Sequence, residues 1–280
     1  MHGGKRVASW RNKALAALLA GIVGLSAASS MAEDPGGTAS ADPAQAAAGF
    51  RESCDAGKAD GCLHLGELHA VGRGVQQDDA KAAALFERAC DAGSAVGCFN
   101  TGFGYERGKG LGKDWPKALR RYRQACEGGL SVGCTHLGMM IGAGRGVDAD
   151  QAEAGALFAR ACEGGDANGC FNQGIQYSEG RGVAQDDLLA LSLLRRACEG
   201  RHLTACSNVG VMLSQGRGAA SDPATAAKYF YVACKAGDGV GCLNLGVAFR
   251  DGNGVPRDPG KSTQLMTHAC KLGIRQACGN

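Results

Sequence analysis

Apolar residues along this chain come in short stripes at helical spacing, interrupted at regular intervals by glycine. After Cys62, the apolar residues Leu63, Leu65, Leu68 and Val71 stop at Gly72. This predicts a first helix, helix A, from about Gly61 to Val71. A polar stretch follows, and then Ala82, Leu85, Phe86 and Ala89 form one stripe of a second helix, helix B, which ends at Cys90 with Gly93 as its stop. The same slots hold Leu157, Phe158 and Ala161, and again Tyr229, Phe230 and Ala233, each a multiple of 36 residues away. A fixed period without insertions means stacked copies of one helix hairpin, each burying its apolar face on its neighbours. Small residues dominate both helices, so axes can approach closely while each contact buries little apolar area.

The residues between the stripes repeat as strictly. Gly72 and Gly74 return as Gly108 and Gly110, Gly144 and Gly146, Gly180 and Gly182, Gly216 and Gly218, and Gly252 and Gly254, where the chain must reverse between helices. An aspartate follows in every copy, at Asp78, Asp114, Asp150, Asp186, Asp222 and Asp258, with Asp42 in register ahead of them; each is placed to cap helix B. Pro43, Pro223 and Pro259 then occupy the first helical position, where a missing N–H costs nothing.

All 14 cysteines lie on the same ruler, in seven pairs: Cys54 with Cys62, Cys90 with Cys98, Cys126 with Cys134, Cys162 with Cys170, Cys198 with Cys206, Cys234 with Cys242, and Cys270 with Cys278. Identical units most simply pair internally, so each C-x7-C is expected to be a disulfide joining the end of helix B to the start of the next helix A. Metal binding is the competing reading, but there is no CxxC and no His/Cys cluster at zinc-ligand spacing.

Residues 1–32 change the picture of compartment and charge. Lys5, Arg6, Arg11 and Lys13 precede an apolar run from Ala14 to Ala28 and a small-x-small site at Ser30-Met31-Ala32, which reads as a secretory signal peptide. A mitochondrial presequence, and with it the intermembrane space, is the alternative. The run is short for a membrane span and no cysteine stands at the cleavage point to carry lipid. Removing the leader takes four cations from the 30 Lys and Arg against 27 Asp and Glu, turning a net charge of +3 into −1. The remainder reads as having no basic run with interleaved aromatics, which sets nucleic acid aside as a partner. Residues 33–41, rich in Gly, Ala, Ser and Thr, read as a flexible lead-in.

The recurring Leu-Gly, GxGV, Asp and Lys-Ala, seen at Leu65-Gly66, Gly72-Arg73-Gly74-Val75, Asp78 and Lys81-Ala82, resembles the Sel1-like repeat. With C-x7-C in every copy, the pattern is similar to the Helicobacter cysteine-rich protein family. The resemblance covers 42–280 and implies an all-α, right-handed α/α solenoid of disulfide-stapled 36-residue hairpins, related to tetratricopeptide repeats. A leading helix B, six A–B hairpins and a C-terminal stub make about thirteen helices. That family is described both as protein-interaction modules and as penicillin-binding proteins with weak β-lactamase activity. A mitochondrial cytochrome oxidase assembly factor resembles the pattern too. Arg201 stands where other copies carry a loop glycine, and Ala219-Ala220 replaces the residue after the second glycine of the fifth turn.

Chemistry finds little support in the residues. SxxK, SDN, KTG and HExxH are all absent, so the enzyme reading rests on resemblance alone. Gly129-Leu130-Ser131-Val132-Gly133 fits GxSxG, but no strand precedes it and its glycines occupy loop slots. Gly254 with Gly260-Lys261-Ser262 is one residue too long for a phosphate loop. His69, His202 and His268 are scattered, and no cofactor or metal is implied.

The slot before Leu-Gly on helix A is more informative: it holds His64, Asn100, His136, Asn172, Asn208 and Asn244. In the tetratricopeptide repeats that the hairpin resembles, this position faces the concave groove, where asparagine holds a peptide backbone by donating and accepting at once. Three residues further on stand Glu67, Phe103, Met139, Ile175, Val211 and Val247, an apolar row broken only by the first. A polar ladder beside an apolar row suits an extended peptide. The competing reading makes the asparagines satisfy local backbone groups and the apolar row part of the core. Arg107 is the one cation on this face, too few for a carboxylate clamp. The sequence therefore points to an exported, monomeric scaffold for protein or peptide partners, with a muropeptide- or β-lactam-binding hydrolase as the alternative and a purely structural role as a third.

Overall fold

The computed structural model describes residues 42–279; the leader and the lead-in lie outside them. Thirteen α-helices occupy the described residues. The B helices are α1 (Pro43–Asp55), α3 (Asp79–Asp91), α5 (Trp115–Glu127), α7 (Gln151–Glu163), α9 (Asp187–Glu199), α11 (Pro223–Lys235) and α13 (Pro259–Lys271). The A helices between them are α2 (Ala59–Val71), α4 (Ala95–Arg107), α6 (Ser131–Gly142), α8 (Ala167–Glu179), α10 (Leu203–Gln215) and α12 (Gly239–Asp251). A single 3-10 turn, Arg275–Ala277, stands where another helix A would begin.

Each element starts and stops for the reasons the sequence supplies. Asp78, Asp114, Asp150, Asp186, Asp222 and Asp258 all cap their B helices, each carboxylate accepting a backbone N–H two or three residues on. Helix A ends at a glycine in the left-handed region in five repeats, as at Gly72 with φ 72°. The exception is α6, which closes one residue early on Ala143 before Gly144 makes the same turn.

Within a hairpin, the glycine of Leu-Gly lets the large side chain of helix B lie against helix A. A Cβ on Gly138 would sit 2.8 Å from the Phe158 ring, and Phe86, Tyr122 and Phe230 fill the equivalent space in their own hairpins. Between hairpins, the second turn glycine rests on the first residue of the preceding helix B: a Cβ on Gly182 would fall 2.6 Å from that of Gln151. Turn and helix start are thus in backbone contact, and this sets the repeat-to-repeat spacing.

All seven expected disulfides are present. Cys54 bonds to Cys62, Cys90 to Cys98, Cys126 to Cys134 and Cys162 to Cys170, each pair within its own repeat boundary. Cys198 bonds to Cys206, Cys234 to Cys242 and Cys270 to Cys278 in the same way. Cα–Cα distances run from 4.4 to 5.0 Å, and no free cysteine remains. Of the pairs, only the last lacks a following helix A: Cys278 lies just past the 3-10 turn, so this bridge holds the C-terminal stub to α13. Closing so short a loop contributes about 2.5 kcal/mol by the chain-entropy account. In α13, buried Ser262 and exposed Thr263 stand where Ala82 and Ala83 do in the first complete hairpin.

Arg201 adopts φ 66°, the only described non-glycine residue with positive φ. The equivalent Gly93, Gly129, Gly165 and Gly237 have nothing within 4 Å of an added Cβ, so a side chain is tolerated there and only the backbone is strained. Arg201→Gly is expected to raise stability by about 0.5–1 kcal/mol in urea denaturation, the left-handed strain relieved outweighing the entropy glycine adds to the unfolded chain.

Candidate functional site

Three consecutive pairs of A helices are in contact. Helix α2 touches α4, α6 touches α8 and α10 touches α12, whereas no two B helices approach as closely. The ladder slot and its apolar neighbour lie on these A helices. Asn100, His136, Asn172, Asn208 and Asn244 are half-buried, and His64 is exposed. Phe103, Met139, Ile175, Val211 and Val247 are also half-buried. Phe103 packs against the core of the second and third hairpins, and Ile175 and Val211 against that of the fourth to sixth, so part of this row supports the core as well as the surface.

Other residues already cap the starts of the A helices. Ser94 accepts from Gly97 N–H, Asp166 from Asn168, the His202 ring from Ala205 and Asp238 from Val240. The ladder asparagines have no such duty. Among the described residues, the amides of Asn100, Asn172, Asn208 and Asn244 form no side-chain hydrogen bond, and Asn244 Nδ2 is enclosed without a partner. Asp166 and Asp238 take a second bond across the repeat boundary, from Thr135 at 2.5 Å and Ser207 at 2.6 Å.

The two histidines of the ladder differ from the asparagines. His64 Nδ1 lies 3.1 Å from Glu67 Oε2, and its ring is 5.1 Å from Phe50. His136 sits between the Phe99 and Tyr122 rings, at 5.0 and 5.2 Å, with Nδ1 3.8 Å from Glu106 Oε2. Glu106 is a hub that the sequence reading missed. Its side chain, 11% exposed, accepts from the Tyr122 hydroxyl at 2.8 Å and from Arg145 Nη1 at 3.3 Å. Burial pushes its carboxyl up, but the nearby His136 ring, the Tyr122 hydrogen bond and the charge of Arg107 outweigh it and hold it at about 2. Burial and the adjacent carboxylate push the Tyr122 hydroxyl far up, so it is a permanent donor. The signal for this hub was available: Tyr122 occupies a slot that is Phe86, Phe158 and Phe230 elsewhere, and an added hydroxyl in a core slot requires an acceptor.

Nothing in this network supplies a nucleophile. No Ser, Thr, Lys or Cys among the described residues is bonded to Glu106 or His136. Ser131 opens α6 and donates to Gly164 O at 3.0 Å, with no strand before it. Lys261 pairs at 3.3 Å with Asp258, the cap of α13, which leaves the near phosphate loop as an ordinary helix start. No group of three or more His, Cys, Asp or Glu side chains among the described residues is placed to hold a metal ion.

The repeat geometry meets a known pattern copy for copy. The Sel1 repeat profile matches 59–94, 95–130, 131–166, 167–202, 203–238 and 239–274, each match opening on the first residue of a helix A. The chain belongs to the Sel1 repeat family. Among solved Sel1-type structures it is similar to a protective antigen of uropathogenic Escherichia coli strains that displays an SLR fold, with TM-score 0.79 and 29% identity over 82% of this chain and 50% of that one. The chain thus spans half the length of that antigen. It is also similar to a Sel1 repeat protein from Oxalobacter formigenes, with TM-score 0.71 and 23% identity over 82% of this chain and 97% of the other. A cysteine-rich protein B from Helicobacter pylori matches at TM-score 0.37 and 27% identity, over 44% of this chain and 89% of its own. No curated protein sequence matches. Sel1 repeat proteins are scaffolds that generally mediate protein–protein interactions. The seven disulfides fit an extracellular or periplasmic setting. No helix among the described residues is long and apolar enough to cross a membrane.

Proposed function

We propose that this Sel1 scaffold is exported and binds an extended segment of a partner protein along the ladder face of its A helices. The backbone would be held by the amides of Asn100, Asn172 and Asn208 and by the Asn244 carbonyl, and side chains would rest beside Phe103, Met139, Ile175, Val211 and Val247. One observation carries the reading: half-buried amides repeat along one face with no hydrogen-bond partner inside the protein, while the local backbone groups that would explain them are capped by other residues. Such an amide is open to a partner outside the protein, and a peptide backbone matches it because the amide both donates and accepts. The disulfides and the leader-like residues 1–32 support export.

The test uses peptides selected from a random display library on the oxidised protein and measured by calorimetry. Asn172→Ala combined with Asn208→Ala is expected to weaken them about tenfold or more, as the loss of backbone hydrogen bonds requires. The melting temperature should stay within about 2 °C, because neither amide bonds to the protein. Unchanged affinity, or a large fall in melting temperature, would move the asparagines into a structural role.

A further inference from the structure

One repeat boundary departs from the pattern twice, in opposite senses. The residue after the second turn glycine is Val75, Leu111, Val147, Val183 and Val255 in five hairpins, and Ala219 in the other. Except for Val147, which is 47% exposed, these large residues are half-buried. The second position of helix B is Ala80, Pro116, Ala152, Ala224 and Gly260 in five hairpins, and Leu188 in the one facing Ala219. A simple exchange of volume would have Leu188 fill the space that Ala219 vacates. Leu188 does not: it is 70% exposed, the most open large apolar side chain among the described residues.

Between α9 and the Gly218-Ala219 turn, a recess of about 380 Å³ stays open. Buried Leu191, 3% exposed, and Ala219 form its apolar floor, Leu188 its lip, and Ser192, Arg195, Arg196 and Glu199 its rim. The charges are unbalanced. Asp187 is already taken by Arg217, Arg196 donates to Cys162 O at 3.2 Å, and Arg195 has no ion-pair partner among the described residues. Two guanidiniums against one carboxylate leave the rim net positive beside an apolar opening. A second copy of the chain would bring the same net charge to the contact.

We infer that this recess is a second docking site, on the helix B side and separate from the asparagine ladder, for a partner protein segment in which a bulky apolar side chain stands next to an aspartate or glutamate. The apolar group would enter over Leu191 and Ala219, and the carboxylate would meet Arg195. An open recess of this kind can seat one aromatic or branched side chain against its apolar floor, the usual anchor of a small interface.

The probe is a set of capped pentapeptides in which one Phe, Trp or Leu is flanked by Asp, with Lys-flanked and Ser-flanked controls, followed by NMR on the oxidised protein. The expected result is shifts at Leu188, Leu191 and Ala219 from the Asp-flanked peptides, weakened about tenfold by Arg195→Glu, a loss typical of removing and reversing one charged contact. Ala219→Val, which restores the residue of the other turns, should abolish those shifts without lowering the melting temperature. Shifts equal for Asp- and Lys-flanked peptides, or absent at these residues, would overturn the proposal. So would a dimer in sedimentation that Leu188→Asp dissolves, which would assign the recess to a second copy. Asn172→Ala with Asn208→Ala should leave these shifts unchanged, so failure of the ladder and failure of the recess are read separately.

Discussion

Gly110→Ala is expected to lower the stability of the array by about 3 kcal/mol, the sum of left-handed backbone strain and a displaced repeat contact. Gly110 has φ 72°, and a Cβ there would overlap the carbonyl oxygen of Asp79, the first residue of α3. That carbonyl belongs to the backbone of the preceding repeat, so relief requires two hairpins to separate. Gly108, two residues earlier, is the control. Its φ is 73°, but a Cβ would meet Lys113 Cβ at an ordinary 3.6 Å. Gly108→Ala should therefore cost only the backbone strain, about 1 kcal/mol. Urea titrations of both variants under oxidising conditions give the comparison. Equal losses would mean that the turn's conformation, and not its contact with the previous repeat, is what the second glycine serves.

Glu106→Ala is expected to cost about 3 kcal/mol, because it leaves the fully buried Tyr122 hydroxyl without an acceptor and removes the counter-charge from Arg145. Adding Tyr122→Phe, the residue of three other repeats at this slot, should recover part of the loss by removing the orphaned hydroxyl. No recovery would mean that the charges, and not the hydroxyl, dominate the hub. The pH dependence follows from the lowered carboxyl, at about 2 when folded against an ordinary 4.5. In that interval the unfolded chain binds the extra proton, so the contribution of Glu106 is complete above about 4.5 and fades as the pH falls toward 2. The melting-temperature gap between the native protein and Glu106→Gln should narrow over that interval. A gap that stays constant would show that the carboxylate is not held in its charged form by the hub.

Most of the fold was legible because every stacked repeat imposes the same local demands. Paired glycines, the Asp78 series and the cysteine ruler each appear six or seven times, so a reading made on one copy is checked by the others. What escaped was confined to single copies. The Glu106 hub joins residues of α4, α5, α6 and the turn after α6, and none of the four repeats in its slot as a set. The basic residues that cluster between Arg107 and Arg123, with Trp115 and Tyr122 among them, also went unread as a run. In the structure three of them are paired, Lys109 with Asp79, Arg121 with Asp91 and Arg123 with Glu153.

By itself, the sequence determined the period, the helices, their caps and turns, and the disulfide pairing, since all of these are set by residues within one 36-residue unit and repeated in each. Tertiary structure decided which side chains are left without partners. The asparagine amides are free because Ser94, Asp166, His202 and Asp238 cap the helices in their place, and the recess at Ala219 is open because Leu188 points outward and does not fill it. Local pattern fixes the backbone of a repeat. Whether a polar atom is satisfied or a volume is filled depends on what the neighbouring repeat brings to it.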